Sequence, residues 1–246
     1  MQFSPFGADK TRQKSRPTVL AEKIYQQLKQ DIFDFRLLPG DRFTESELAQ
    51  RMSVSRTPVR QALFRLETEG YVDVYFRSGW QVRPFDFAYF EDLYDLRTVL
   101  EREAIRRLCE LPSGLGAEKL RFLKQFWIDE PPLNDGATVS RHDEEFHMVL
   151  VATTGNHEMA RVHRDVTEKI RIIRRLDFTK QARIATTYQE HSAILLAIFQ
   201  QHTVDAQRIL SEHIASSKAE VRNITLHLLQ QARRQTPPTT PNGYAD

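Results

Sequence analysis

The sequence predicts a mainly α-helical protein with an N-terminal winged helix-turn-helix followed by an antiparallel bundle of about six helices. Three observations predict it. Residues 44–71 carry two short helical patterns with their own start and stop signals. Residues 72–82 alternate apolar and polar side chains, as a short hairpin does. Beyond Pro84 the apolar residues recur only at helical spacing.

Residues 1–17 mix polar residues with Pro5, Gly7 and Pro17, which predicts a flexible basic arm. From Thr18 to Arg36, Leu20, Ile24, Leu28 and Ile32 keep a spacing of four, so an amphipathic helix is expected, ended by Leu38-Pro39-Gly40. Thr44 and Glu47 form a capping box that starts a second, short helix carrying Leu48 and Ala49 inward. Met52, Ser53 and Val54 break it. Ser55 or Thr57 can cap a third helix with Pro58 in its first turn, where the missing N–H costs nothing, and Gly70 is placed to end it.

In that third helix Val59, Ala62, Leu63 and Leu66 share one face, whereas Ser55, Arg56, Thr57 and Arg60 crowd the first turn and its exposed side. Hydroxyls and guanidinium forks at the start of a second helix are what a recognition helix brings to a major groove. The hairpin that follows would form a wing, with Arg77, Ser78 and Gly79 at its tip near a minor groove or the sugar-phosphate backbone. Residues 1–85 hold 14 Lys and Arg against 10 Asp and Glu, a net charge of +4, while the remainder carries minus 2 from 21 against 23. The basic half is the helix-turn-helix half, as phosphate contact requires.

Residues 18–84 are therefore expected to form a DNA-binding domain and residues 85–235 a helical domain, with a disordered Pro-rich tail at 236–246. In the second domain Phe90, Leu93, Leu96, Leu100, Ala104 and Leu108 predict a helix over residues 87–110. Further helices are expected at about 117–128, 138–153, 157–178, 182–201 and 204–234. A single cysteine, Cys109, excludes an internal disulfide. With no apolar run of about 18 residues and no apolar core near the N-terminus, a soluble cytoplasmic protein is expected.

All eight histidines lie after residue 140. Asp143 and His147 are four apart on one predicted helix and can reach one ion. His191 and His213 fall on two later helices, each about 11 residues, or roughly 16 Å, from a turn near His202, which makes them level if the helices are antiparallel. One carboxylate and three imidazoles suit zinc, nickel, iron, manganese or copper. His142, His157, His163, His202 and His227 are read as surface or core residues.

The segment SVSRTPVRQALFRLETEG resembles the winged helix of the GntR family, whose FadR-like branch adds a helical ligand-binding FCD domain. The second half resembles that domain through DLYDLRTVLE, DEEFHMVLVATTGN, EHSAILLAI and SEHI, and the likeness covers residues 18–230. It implies that Ser55, Arg56, Thr57 and Arg60 read the operator and that Ser78 and Gly79 form the wing tip. It also implies that Asp143, His147, His191 and His213 hold a divalent transition metal, zinc or nickel being the expected ions, and that Arg97 faces the effector. Ser46 stands where some members of the family carry a DNA-contacting arginine, Asp95 where glutamate is usual, and Ser192 where arginine usually follows the histidine.

The reading is a homodimeric repressor, not an enzyme, released from double-stranded operator DNA by a small organic acid at the metal. Its alternatives are a metal-dependent enzyme tethered to DNA, with Glu144 or Glu190 as the nearest bases, and a regulator with a purely structural metal.

Overall fold

A computed structural model describes residues 16–76, 79–178 and 181–223. The predicted basic arm, the Pro-rich tail, His227, Arg77 and Ser78 lie outside these residues, save that the first helix begins at Arg16. Helix α1 spans Arg16–Phe33, α2 Glu45–Arg51 and α3 Arg56–Thr68; the strands are β1 Arg42–Thr44, β2 Val72–Tyr75 and β3 Gly79–Val82. The chain divides into two compact units, with a boundary between Pro84 and Phe85.

In the first unit Ile24, Leu28 and Ile32 of α1 are buried together with Leu48, Val59, Leu63 and Leu66. Tyr25 donates its hydroxyl to Glu69 at 2.6 Å and Lys29 reaches the same carboxylate at 3.0 Å, which ties α1 to the end of α3. Thr44 and Glu47 form the expected capping box, and Ser53 takes a positive φ of 54° in the break before α3. Gly70, at φ 82°, ends α3 in the left-handed conformation that glycine adopts without steric cost.

The sheet has the order β1-β3-β2, all antiparallel, with Trp80 of β3 between Phe43 and Val74. Strand β1 was not among the predicted elements. The hairpin's apolar alternation also misleads: Val72 is buried, but Val74 and Phe76 are exposed.

The second unit contains α4 Phe87–Cys109, α5 Leu115–Lys119, α6 Arg121–Lys124, a π-helical turn Gln125–Asp129, α7 Gly136–Thr153, α8 His157–Asp177, α9 Gln181–Phe199 and α10 Thr203–Val221. Helix α4 packs against α7, α8 and α10, and α9 against α10. The single helix expected at 117–128 is broken into α5, α6 and the π turn, an arrangement frequent near functional sites. The stripe read on α4 also needs correction. Leu96 is exposed, and Arg97 and Glu101 occupy the buried face between Tyr94 and Ala104.

Helix α7 starts at Gly136, capped by Asp135, whose side chain accepts from Thr138 N. A β-carbon at Gly136 would lie 2.3 Å from the backbone oxygen of Phe178, so only glycine lets α7 begin against the end of α8. Gly136→Ala should destabilise the protein by about 1–3 kcal/mol through that overlap. Urea unfolding measures this, and an unchanged midpoint would show that the two helices are not in such close contact.

Candidate functional site

Helices α7, α9 and α10 bring Asp143, His147, His191 and His213 together. One ligand-type atom from each lies within 4.8 Å of all the others, and all four residues are buried. The Nε2 atoms of His147 and His213 face each other at 3.1 Å, and Asp143 Oδ1 stands 3.6 Å from the first, 3.9 Å from the second and 3.2 Å from His191 Nε2. The rings of His191 and His213 are 4.9 Å apart, so the two residues are level across α9 and α10.

The surrounding residues fix which nitrogen of each ring points inward. His147 donates Nδ1–H to Glu101 Oε2 at 2.6 Å, and His213 donates Nδ1–H to Glu190 Oε2 at 2.6 Å. With Nδ1 protonated, a neutral ring leaves a lone pair on Nε2, so both lone pairs converge on one point beside a carboxylate oxygen. Arg183 also approaches His213 Nδ1 at 3.3 Å, but the shorter carboxylate contact decides the tautomer. His191 is oriented differently, by stacking on Phe146 at 3.7 Å and by the edge of Trp127 from the π turn at 4.2 Å.

Burial keeps all three rings neutral. It pushes His147 down to about 4, aided by the Arg97 charge, and holds His191 and His213 well below the usual histidine range. For Glu101, burial acts to raise the carboxyl, but Arg97 and His147 outweigh it and hold it well below the ordinary carboxylate range. Neither nitrogen of His191 and neither oxygen of Asp143 makes a hydrogen bond, although Asp143 Oδ2 forms an ion pair with Arg174. Buried polar atoms are rarely left so. A divalent cation at the convergence point would give Asp143 Oδ1 and one ring nitrogen of His191 the partner they lack, so the donor set fits a metal.

Arg97, expected at the effector, is fully buried beside this cluster and donates Nε–H to Glu101 at 2.6 Å. The expected reading residues Ser55, Arg56, Thr57 and Arg60 are all exposed on the first turn of α3. Ser55 is its N-cap residue but makes no side-chain cap bond. Arg60 grips buried Glu45 through Nε at 2.9 Å and Nη2 at 2.8 Å, and Arg56 reaches the same carboxylate at 3.2 Å. Gly79 opens β3, while its expected partner Ser78 is outside the described residues.

Residues 20–82 match the family described as bacterial regulatory proteins of the gntR family, and residues 92–216 match the FCD domain. The chain belongs to the GntR family of bacterial transcriptional regulators. Its relatives include the Nta operon transcriptional regulator of Aminobacter aminovorans, 33% identical over 66% of this chain and 77% of that one. They also include the HTH-type transcriptional regulator YdhC of Bacillus subtilis, 27% identical over 80% and 89%. The fold resembles a GntR regulator from Rhodococcus sp. RHA1, with a TM-score of 0.66 at 19% identity over 85% of this chain and 100% of that one. It also resembles E. coli McbR/YncC, with a TM-score of 0.59 at 16% identity over 83% and 97%. Among the described residues no helix is long and apolar enough to cross a membrane.

Several residues of this GntR regulator's site escaped sequence reasoning. Glu101 and Arg174 were not predicted, Glu190 was named only as a base of the enzyme alternative, and His163, read as surface or core, donates Nε2–H to Glu101 Oε1 at 2.9 Å. Glu101 and Arg97 share a helix at a spacing of four, a signal that an ordinary surface pair gives equally well. The glutamates considered as enzymatic bases are both engaged, Glu144 by Arg171 at 2.8 Å and Glu190 by Arg183 at 2.9 Å as well as by His213.

Carboxylates that orient metal-binding histidines typically tune affinity by about 10- to 100-fold. Glu101→Gln should weaken zinc binding by that factor, measured by competition with a chromogenic chelator. Unchanged affinity in the folded variant would remove Glu101 from the support of this centre.

Proposed function

We propose that this GntR regulator is a homodimeric repressor whose FCD domain holds a divalent transition metal on Asp143, His147, His191 and His213 and releases operator DNA when a small organic acid binds there. The observation that carries it is the convergence of three neutral imidazoles and a carboxylate on one buried point, with Arg97 beside them. Bound there, the metal would supply a Lewis-acid centre for an anionic group. Zinc or nickel suits this donor set, and an effector can join only if coordination exceeds the four protein ligands. The purely structural reading of the metal leaves Arg97 Nη2, buried and without a hydrogen-bond partner, unexplained.

Residues 18–84 would bind DNA, with Ser55, Arg56, Thr57 and Arg60 entering the major groove and Ser78 and Gly79 at the wing tip. Residues 85–235 would carry effector binding and dimerisation. Two reading helices set about 34 Å apart match a palindrome, which is why a dimer is proposed. The work of such a protein lies in the cytoplasm.

Arg56 and Arg60 are held by Glu45 with exposed guanidinium edges, so replacing either by Ala should cost operator binding about 1–3 kcal/mol and relax the preference over scrambled DNA. Binding isotherms on both DNAs check this; folded variants that match the parent on both would place DNA reading elsewhere.

An effector shifts an equilibrium only by its differential affinity for the two states, typically about 1–3 kcal/mol of coupling. The acid should therefore lower operator affinity in the parent, and Arg97→Ala or chelation of the metal should blunt that response more than it alters binding without acid. Titration of operator complexes reads this. Equal release from all three forms would show that the effector does not use this site.

A further inference from the structure

Two buried arginines, Arg97 and Arg174, and the half-buried Arg183 stand around the four candidate ligands, and each is paired with one carboxylate. Arg97 on α4 meets Glu101 at 2.6 Å, Arg174 on α8 meets Asp143, and Arg183 on α9 meets Glu190 at 2.9 Å. Each of these carboxylates either is a candidate ligand or holds one by hydrogen bond. With neutral imidazoles, the three guanidinium groups and three carboxylates balance. A divalent cation at the centre would then leave this largely buried shell with an excess of two positive charges. Uncompensated charge in a dry interior is costly.

The terminal nitrogens of the arginines are not used alike. Arg183 directs Nη1 to Glu190 and Nη2 to Ser217 at 3.1 Å. Arg97 engages Glu101 through Nε and leaves Nη2 without a hydrogen-bond partner. Arg174 gives Nη2 to Asp143 and leaves Nη1 without one. Both atoms are buried. A guanidinium presents its donors in a rigid fork suited to a carboxylate, so these unused edges mark where a second anionic group is taken up. The anchoring of Arg174 on the far oxygen of Asp143 places that edge beside the metal ligands, which favours a short molecule.

We propose that the effector is a small dianion bearing two carboxylates, one bound at the metal and the other held by the unused edges of Arg97 and Arg174. This rests on the reading of the metal centre as the effector site and adds the charge and the second anchor. A monocarboxylate would neutralise only half of the excess and leave one or both arginine edges empty. Arg174, which neither periodicity nor motif singled out, becomes a specificity residue of the site.

The test is calorimetric titration of the full-length, zinc-loaded protein with pairs of equal carbon number: propionate and malonate, butyrate and succinate, pentanoate and glutarate. At least one dicarboxylate should bind about 10- to 100-fold more tightly than its monocarboxylate partner, the margin expected of one additional charge-assisted anchor. Arg97→Lys and Arg174→Lys, in preparations that retain the metal, should each shrink that margin, because lysine keeps the charge but not the fork. Equal affinity within every pair would overturn the dianion while leaving a small-acid regulator standing. A margin that survives both lysine variants would overturn the arginine anchor. Failure of every acid to bind the metal-loaded parent would overturn both this inference and the effector reading beneath it. The comparison within pairs needs only the parent protein, so an unfolded variant does not remove the test.

Discussion

The second unit depends on one electrostatic constraint: four buried acceptors point at the same place. The Nε2 atoms of His147 and His213 stand 3.1 Å apart, with Asp143 Oδ1 and His191 Nε2 beside them. Lone pairs so arranged repel one another, and burial deprives them of the bulk solvent that would screen them. Glu101 and Glu190 make matters worse for an empty centre by holding Nδ1–H on two of the rings, which forces the lone pairs inward. A cation would convert this repulsion into coordination, and its binding would then become part of the folding free energy of the unit.

That constraint explains the polar middle of α4. Glu101 accepts from Arg97, His147 and His163 at once, so one carboxylate links α4, α7 and α8. An apolar residue there would pack as well but would leave His147 free to take the other tautomer. On α9, Glu190 plays the corresponding part for His213 with help from Arg183. The π turn supplies Trp127 against His191, the one candidate ligand whose ring is held by aromatic packing rather than by a carboxylate. In the first unit Glu45 gathers Arg56 and Arg60 in a similar way, which restricts the conformational freedom of both side chains.

Local signals were legible in the sequence where short-range chemistry sets the structure. The capping box at Thr44 and Glu47, the stop at Gly70 and the inward set Val59, Ala62, Leu63 and Leu66 all involve residues within a few positions of one another. The Asp143 and His147 pair was legible for the same reason, and His191 with His213 because a short connection between helices makes their level calculable. Strand β1 was not, since three residues carry no periodicity and its partner β3 lies far along the chain. Glu101 and Arg174 carried no signal, because sequence patterns assign charge to water, and Arg97 stood out only through the family resemblance. Their burial follows from partners on other helices.

The most direct measurement of the central claim is the metal content of the purified full-length protein and of His191→Ala, each determined by elemental analysis after exhaustive dialysis against metal-free buffer. His191 is chosen because it supports no neighbour by hydrogen bond, so its loss tests ligation rather than scaffolding. The account predicts one divalent transition-metal ion per chain in the parent and a marked loss in the variant. A parent that holds no metal after loading with zinc or nickel, or a variant that holds as much as the parent, would contradict it.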